Sequence, residues 1–463
     1  MSELDVAAID ARLAGALPPG TLYAVGGRVR DELRAQSEGV PVALKDLDYV
    51  VVGLELEDLV ARLRTVARAE PAGAAFPVVK ATLLGTTVDV ALPRRERSTG
   101  VGHRDFNVDT GPEVSLEDDL ARRDFRINMM ARAIGSNALV DPYEGQADII
   151  ARRIRLLRPE AFIEDPLRML RAVQFAARFT YTIDAHTFAA MESAAHLLPS
   201  VSGERVRDEL IKLLRAPHPS AGIEMLRASG LLAHLWPEVL EGLGVEQNAW
   251  HAFDVYHHNL ATLDAAPIDD DLVLRLAALL HDVGKPRTKD GPHFYRHEHV
   301  GAEMARGMLE RLHFPGETVE RVVGLVREHM YTANPEMTAP ALRRFVRRIG
   351  PENLPAQFAL RHADIAGSGL PKRDDANERF EARVAVLVAE RPPLSVKDLA
   401  ITGNDVLEAL IASGRLPAAS RGGPAVGRIL SALLERVTDD PALNEAQMLR
   451  GLLAAEIAQL QAG

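Results

Sequence analysis

Between Tyr23 and Gly53 the chain reads YAVGGRVRDELRAQSEGVPVALKDLDYVVVG, and two halves of one phosphate-handling site are written into it. The stretch 23–25 has the apolar character of a short buried strand, and Gly26-Gly27 then lets the backbone approach a ligand with no Cβ in the way. Arg28 and Arg30 follow. Residues 28–33 predict a helix start, so the glycine pair aims backbone N–H groups and a helix N-terminus at an anion. Further on, Asp46-Leu47-Asp48 opens the β-branched run 49–52, whose period of two sets both carboxylates on one face of a strand. Adjacent carboxylates repel unless a cation lies between them, and Mg²⁺ prefers oxygen ligands that it shares with substrate phosphates. The plainer alternative is a glycine turn before a polar strand end. Glycines, two arginines and then Asp-x-Asp together point instead to the metal half of an in-line phosphoryl or nucleotidyl transfer site.

With 463 residues the chain has room for roughly two to four domains. Aromatic residues make up only 5% while Ala, Leu and Arg abound, which predicts a largely helical protein. The absence of cysteine excludes disulfide partners, zinc–thiolate sites and thiol nucleophiles. No apolar run reaches the length of about eighteen residues that a membrane helix needs, and the N-terminal stretch lacks a basic region before an apolar core. A cytoplasmic protein with no membrane partner is expected. A net charge of −11 argues against indiscriminate binding to phosphate backbones, so a nucleic-acid partner must meet local basic faces.

Along the chain, 5–16 reads as a short amphipathic helix, 54–69 as another, and 76–80 and 81–92 as alternating strands. Asp89, in TVDVA, is a candidate third carboxylate beside Asp46 and Asp48, or a polar residue on an edge strand. From Pro93 to Ser115 the chain is polar, rich in arginine and without apolar period, which predicts a mobile loop. Residues 116–133, taken as one helix, bring Arg123, Asp124 and Asn128 together, with Asp124 and Asn128 four apart on one face. Such a cluster can bond a ribose 2′-hydroxyl, which both donates and accepts; internal ion pairs on a solvated face are the alternative. Between Arg152 and Arg158 stand four arginines and no acid, a stripe suited to an RNA backbone.

In EDPLRMLRAVQFAARF, Asp165 is a natural N-cap and Pro166 a natural first helical residue. Asp165 and Arg168, three apart, also offer an acceptor and fixed donors at the spacing of a base edge. A carboxylate accepts from the exocyclic amine of cytosine or adenine and a guanidinium donates to their ring nitrogens, whereas guanine and uracil present another pattern. Further on, His281-Asp282 follows an apolar helical run, with His257-His258 upstream and His297, His329 and Asp364 downstream. Imidazoles around a His-Asp pair fit a divalent transition metal or Mg²⁺ held between helices.

GGRVRD with KDLDYVVVG resembles the head signature of the class II nucleotidyltransferases of the polymerase β superfamily, to which bacterial tRNA CCA-adding enzymes and poly(A) polymerases belong. LEDDLARRDFRINMMA resembles that family's ribose-selecting motif, VDPYEGQAD, with Asp141, Gly145 and Asp148, its hinge, and EDPLRMLR its base-selecting motif. Glu204, Arg205 and Glu209 match a further neck motif, where structural ion pairing is expected. The resemblance implies an α+β fold: a polymerase β-like head with a small mixed sheet, followed by a mostly α-helical neck, body and HD domain. The expected boundaries are 1–135 for the head, 136–245 for the neck and body, 246–370 for the HD domain and 371–463 for a C-terminal helical region.

It further implies Asp46 and Asp48 as catalytic ligands of Mg²⁺, and nucleotide binding by Gly26, Gly27, Arg28, Arg30, Arg123, Asp124, Asn128, Asp165, Arg168 and Arg171. The histidine series resembles an HD phosphohydrolase domain, which implies His258, His281, Asp282 and Asp364 as ligands of a divalent metal and His297 and His329 as candidates for a second one. His258 is preferred to His257 because it matches the family's D-V-aromatic-x-H spacing. The implied activity is addition of the 3′-terminal CCA, or its terminal A, to tRNA from CTP and ATP without a nucleic-acid template. Alternatives are A-only or CC-only addition, a poly(A) polymerase, and an additional HD phosphohydrolase activity. Family members that add only CC lack a flexible loop at the place of 93–115, so its presence weighs against that alternative; the absence of a longer basic C-terminal tail weighs against a poly(A) polymerase.

Overall fold

A computed structural model describes residues 3–41, 47–72, 78–98, 106–248, 250–268, 272–371 and 374–459. It divides into two units, Met1–Glu241 with Gly307–Pro315 and Gly242–Arg306 with Gly316–Gly463. In the first, α1 (Glu3–Ala16) leads to β1 (Leu22–Val25), α2 (Gly27–Glu38), β2 (Asp48–Val51), α3 (Leu56–Leu63), β3 (Arg68–Ala72), β4 (Val78–Leu83) and β5 (Thr86–Ala91). The pair β6 (Arg94–Ser98) and β7 (Phe106–Thr110) precedes α4 (Leu116–Ala121), β8 (Ala131–Ala133), β9 (Leu139–Val140) and α5 (Gly145–Ile150). Then come β10 (Arg153–Ile154), α6 (Ala161–Glu164), α7 (Leu167–Phe179), β11 (Thr182–Ile183), α8 (Ala185–Ala194), α9 (Gly203–Leu214), α10 (Pro219–Ala228), α11 (Leu231–Leu235) and α12 (Pro237–Leu240).

The sheet is mixed, in the order β3-β4-β5-β2-β1-β8-β9, with β2 and β5 parallel. Its strands form because β1 and β2 are apolar and nearly all buried: Val25 and Val50 pack with Leu120, Met129 and Ala131. Each of the valine, leucine and methionine side chains here, fully buried, contributes about 1.5–3 kcal/mol. β4 and β5 join through Leu84-Gly85, both at positive φ (51° and 78°), the mirror-image turn whose twist matches a two-residue hairpin.

The break between the strands expected over 76–80 and 81–92 falls at Leu84-Gly85 instead, and three larger local expectations change. The helix predicted over 54–69 ends at Leu63, and 68–72 pairs with β4 instead, because strand pairing overrides the weak helical preference of RAEPA. The helix predicted over 116–133 breaks after Ala121, Phe125 is extended (φ −133°, ψ 152°), and 131–133 joins the sheet beside β1. Phe125, Ile127, Met129, Met130 and Ala131 are all buried, which one face of a helix cannot achieve. The segment 93–115, predicted as a structureless loop, forms the β6–β7 ladder, with Arg95 opposite Asp109; residues 99–105, between the strands, lie outside the described residues. Pairing backbone groups and opposite charges across a hairpin requires no apolar alternation.

The second unit is helical apart from the short pair β12 (Lys289–Asp290) and β13 (His293–Phe294). Its helices are α13 (Val255–Ala265), α14 (Val273–Leu280), α15 (Lys285–Thr288), α16 (His297–Arg311), α17 (Gly316–Glu328), α18 (Ala339–Ile349), α19 (Leu354–Gly367), α20 (Ala376–Ala389), α21 (Gly403–Ala412), α22 (Pro424–Asp439) and α23 (Ala446–Gln459). Every residue of α14 is buried, so it is a central helix, and it delivers His281-Asp282 from its C-terminal end. On α18 the apolar stripe Leu342, Phe345, Val346 and Ile349 faces a core with Tyr331 and Phe380. From the same helix Arg343 donates to the carbonyls of Thr438 and Asp439, capping the negative end of α22. Among the described residues, no helix is long and apolar enough to cross a membrane.

Candidate functional site

The glycine pair, the strand carboxylate and the ribose motif meet at one point of the first unit. Gly26 holds φ 68° and ψ −131°, and a Cβ there would stand 2.8 Å from Arg123 Nη1 and 3.9 Å from Asp48 Oδ2. Only glycine combines that backbone with that proximity. Asp48, exposed at the start of β2, is in register with Asp89 on β5, so two carboxylates stand side by side on neighbouring strands. Lys80 Nζ lies 2.8 Å from Asp89 Oδ1 and is held in its charged form by Asp89 first and Asp48 after it. Asp46 lies outside the described residues. A divalent cation suits this corner, since adjacent carboxylates need a charge between them.

Arg28 and Arg30 point inward. Arg28 donates to Asp10 at 2.6 and 2.9 Å, to Glu32 at 2.9 Å and to the Tyr49 hydroxyl at 3.0 Å, tying α1 to the start of α2. Burial, then the bond to Asp10, pushes the Tyr49 phenol far above its ordinary range. Arg30 donates to Asp31 and, at 2.8 Å, to Asn128 Oδ1, with its guanidinium over the rings of Phe175 and Phe179. Both guanidinium groups are thus engaged by protein, and what Gly26-Gly27 itself can offer a ligand is backbone.

Although 116–133 is not one helix, Asp124 and Asn128 do meet: Asn128 Nδ2 donates to Asp124 Oδ1 at 2.8 Å. Arg171 Nε, from α7, donates to Asp124 Oδ2 at 2.8 Å. Burial alone would raise the Asp124 pKa, but Arg171 and Asn128 hold it down to about 2. Arg168 Nη2 donates to the carbonyl of Arg122 at 2.8 Å, a second tie between α7 and the ribose motif. Asp165 accepts from the Leu167 N–H at 3.3 Å, as a helix-start residue does, and from Arg205 Nη2 at 2.9 Å. Arg205 and Glu209, one turn apart on α9, grip Asp165 and Arg171 respectively, the latter at 3.6 Å.

Asp119, fully buried, accepts from Arg122, from Arg123 and from the Arg94 N–H, linking the β6–β7 ladder to the ribose motif. Asp141 caps α5 by accepting from the N–H groups of Gly145 and Gln146, while buried Asp148 lies within 4 Å of Arg126, Arg153 and Arg155. Arg158 pairs with Glu164, so three of the four arginines predicted as an RNA-facing stripe have carboxylate partners, and Arg152 is exposed.

The second unit gathers a separate cluster. His258 Nε2, His281 Nε2, Asp282 Oδ2 and Asp364 Oδ1 converge, with separations of 3.1 Å (His258 to His281), 3.1 Å (His258 to Asp364), 3.5 Å (His258 to Asp282) and 3.3 Å (His281 to Asp282). The other oxygen of Asp282 faces His297 Nε2 at 3.3 Å and His329 Nε2 at 3.4 Å. Each of these four histidines donates Nδ1–H to a backbone carbonyl, of Gly367, Ala278, Phe294 and Val326, which turns its Nε2 toward the carboxylates. His257 is exposed and bonded to Asp254, outside the cluster.

Neither oxygen of Asp282 accepts a well-directed hydrogen bond although both are buried, and Lys285 Nζ stands 2.5 Å from Oδ2 as an ion pair. Burial opposes ionisation of Asp282 and Asp364, yet His281 and Lys285 hold the Asp282 carboxyl, and His258 and His281 the Asp364 carboxyl, well below the usual range. A buried ionised carboxylate ringed by oriented imidazoles is a donor set that would suit a divalent metal ion, with Asp282 facing both halves of the cluster. The cluster opens on a cavity of about 560 Å³ lined in part by Trp250, Lys285, Phe294, Met330 and Arg361.

Residues 22–155 match the Poly A polymerase head domain, 180–243 the "Probable RNA and SrmB- binding site of polymerase A", and 251–364 the HD domain. The chain is 38% identical over 391 residues to the multifunctional CCA protein of Nitrosococcus oceani, covering 80% of this chain and 92% of that one. It is 38% identical over 440 residues to the A-adding tRNA nucleotidyltransferase of Deinococcus radiodurans, covering 90% and 91%. The chain belongs to the class II tRNA nucleotidyltransferase family and carries an HD domain. The fold agrees with that of the CCA-adding enzyme of Bacillus stearothermophilus in complex with CTP, with a TM-score of 0.65 at 23% identity over 98% of both chains.

In this tRNA nucleotidyltransferase family member Gly26, Asp48 and Arg123 fall inside the first matched segment and the histidine–aspartate cluster inside the third, while α7 falls between the first two matches. Sequence reasoning missed Asp10, Asp119 and His251. Asp10 and Asp119 look like ordinary helix carboxylates until their arginine partners are placed. For His251 the one signal was its position seven residues before His258.

Proposed function

We propose that this enzyme extends the 3′ end of tRNA from CTP and ATP without a nucleic-acid template, in the cytoplasm, and that it completes the CCA end. The observation that carries the reading is the convergence of Gly26, Asp48 and Arg123, tied to Arg168 and Arg171 of α7 through the Arg122 carbonyl and the Asp124 carboxylate. In this reading Asp46 and Asp48 hold Mg²⁺, which when bound lowers the pKa of the RNA 3′-hydroxyl and neutralises the leaving pyrophosphate. Backbone N–H groups at Gly26-Gly27 and the Arg123 guanidinium orient the triphosphate. Asp124 and Asn128 bond the ribose hydroxyl, with Arg171 keeping Asp124 ionised and fixed. Arg28 and Arg30, engaged by Asp10 and Asn128, hold the glycine turn and the ribose motif in place behind the nucleotide.

Asp165 and Arg168 select the base. The bonds to Arg205 and to the Arg122 carbonyl keep them satisfied until a base edge takes over part of their bonding. Asp165→Ala and Arg168→Ala are therefore expected to let UTP or GTP compete, with a smaller loss of total turnover, because a site built to bond a base edge discriminates through the groups left unpaired by the wrong one. Steady-state rates with four nucleotides on one tRNA decide it; unchanged ratios would leave Asp165 as a helix cap only.

Which nucleotides are added is tested with transcripts ending at the discriminator base, after one C and after two, given labelled CTP or ATP with Mg²⁺. Addition of all three residues is expected. ATP use on the CC-ending transcript alone would mean an A-adding enzyme, and CTP use without ATP use would refute the argument from the 93–115 segment. One pocket must serve both cytosine and the larger adenine, so a movable element has to re-aim Asp165 and Arg168 between additions. The β6–β7 ladder, joined to the ribose motif through Asp119, suits that role.

The metal cluster supports a second activity: hydrolysis of phosphate esters by the HD domain. His258, His281, Asp282 and Asp364 would hold one ion and Asp282, His297 and His329 another, supplying an activated water and charge neutralisation at the phosphoryl group. The chain's own part is to orient the imidazoles through their Nδ1–H bonds and to place Lys285 and Arg361 beside the phosphate.

A further inference from the structure

His251 lies on the segment leading to α13, outside the set of histidines and aspartates assigned to the two ions above. Its ring meets that of His258 edge to face, with centroids 4.6 Å apart. The donor atoms of His251, His258 and Asp364 all lie within 4.8 Å of one another. Metal–nitrogen bonds run at about 2.1 Å, so two donors on opposite sides of one ion stand about 4.2 Å apart, and a small rotamer adjustment brings all three to a single ion.

The tautomer also agrees. His251 Nδ1 lies 3.3 Å from Asn248 Oδ1, so it donates there as the four cluster histidines donate to carbonyls, and Nε2 is left as the acceptor. An imidazole that merely filled space beside His258 would have no need of the same orientation. The ring also lines the cavity, so it borders the side from which a phosphate ester enters.

Resting on the HD reading above, we propose that His251 is a further ligand of the ion held by His258, His281, Asp282 and Asp364. With it that ion has three imidazole nitrogens and two carboxylate oxygens. Such a donor set favours a first-row transition metal over Mg²⁺, whose preference is for oxygen. The two metal centres of the chain are then chemically distinct: an oxygen-ligated Mg²⁺ site in the head and an imidazole-rich site in the HD domain.

The experiment is Co²⁺ binding to the full-length apoprotein, followed by calorimetry and by visible absorption, with excess Mg²⁺ present to occupy the head carboxylates. Wild type is expected to take up two equivalents with an imidazole-type spectrum. His251→Ala should weaken one equivalent by at least about tenfold and alter its absorption, the scale seen when groups supporting a metal site are removed. His251→Glu, which exchanges one donor for another, should keep both equivalents with a shifted spectrum and guards against a His251→Ala protein that fails to fold. His257→Ala should bind as wild type. If His251→Ala binds as wild type while His281→Ala does not, His251 is no ligand and this inference falls while the HD metal reading stands. If wild type takes up no Co²⁺ under these conditions, the HD metal reading falls and this inference with it.

Discussion

Asp48→Ala is expected to lower nucleotide addition by a factor of about a thousand or more while tRNA binding stays within about twofold of wild type. The reasoning starts from charge. Transfer of a nucleotide develops negative charge on the attacking and leaving oxygens, and Asp48 would hold the cation that offsets it, so losing this carboxylate should cost several kcal/mol of transition-state stabilisation. Folding should be spared, because Asp48 is exposed on β2 and the neighbouring Tyr49, Val50 and Val51 carry the core contacts. The RNA contacts should be spared too, so the loss falls on kcat rather than on tRNA affinity. Asp46→Ala should behave alike. Asp89→Asn is the informative companion: a comparable fall would make Asp89 a third ligand, and an unchanged rate would leave it as the partner of Lys80. Retained addition in both Asp46→Ala and Asp48→Ala would falsify the metal assignment.

The second large effect is expected in the HD domain. His281→Ala should bring hydrolysis of a generic phosphomonoester or a 2′,3′-cyclic nucleotide to background, with nucleotide addition unchanged. His281 Nε2 is 3.3 Å from Asp282 Oδ2 and 3.1 Å from His258 Nε2, so its loss removes a central donor of one ion. Asp282→Ala should abolish hydrolysis equally, since its two oxygens face the two halves of the cluster. It is the less clean variant: Lys285, buried at 6% exposure, would lose its carboxylate, and breaking a buried pair costs about 3–5 kcal/mol. All donors of the cluster identified among the described residues belong to the second unit, and none of Gly26, Asp48, Arg123, Asp165 or Arg168 does. Assays run side by side on each variant decide it. A fall of nucleotide addition in step with hydrolysis, in a protein that keeps its thermal stability, would mean that the two activities are coupled.

The sequence by itself determined the family, the mixed α+β head, the helical remainder and which chemical groups stand at both candidate sites. That information is local. Gly-Gly before a helix, Asp-x-Asp at a strand start and His-Asp at the end of an apolar helix state which groups are present and roughly how each is presented, because backbone period and glycine freedom act over a few residues. The tertiary structure alone decided partners. Nothing near Arg28 in the chain announces Asp10, eighteen residues earlier, and nothing near Asp165 announces Arg205, forty residues later. Long-range packing also overrode local preference. Residues 116–133 read as a helix, but burying Phe125, Ile127, Met129 and Met130 together required a broken backbone, and the Asp124–Asn128 contact survived by a route that periodicity does not contain. The ladder of 94–98 with 106–110 was invisible for the converse reason: its stability lies in backbone pairing between segments, to which apolar periodicity is blind. His251 belongs to the same class, since only the fold carries it from a loop to within reach of His258 and Asp364.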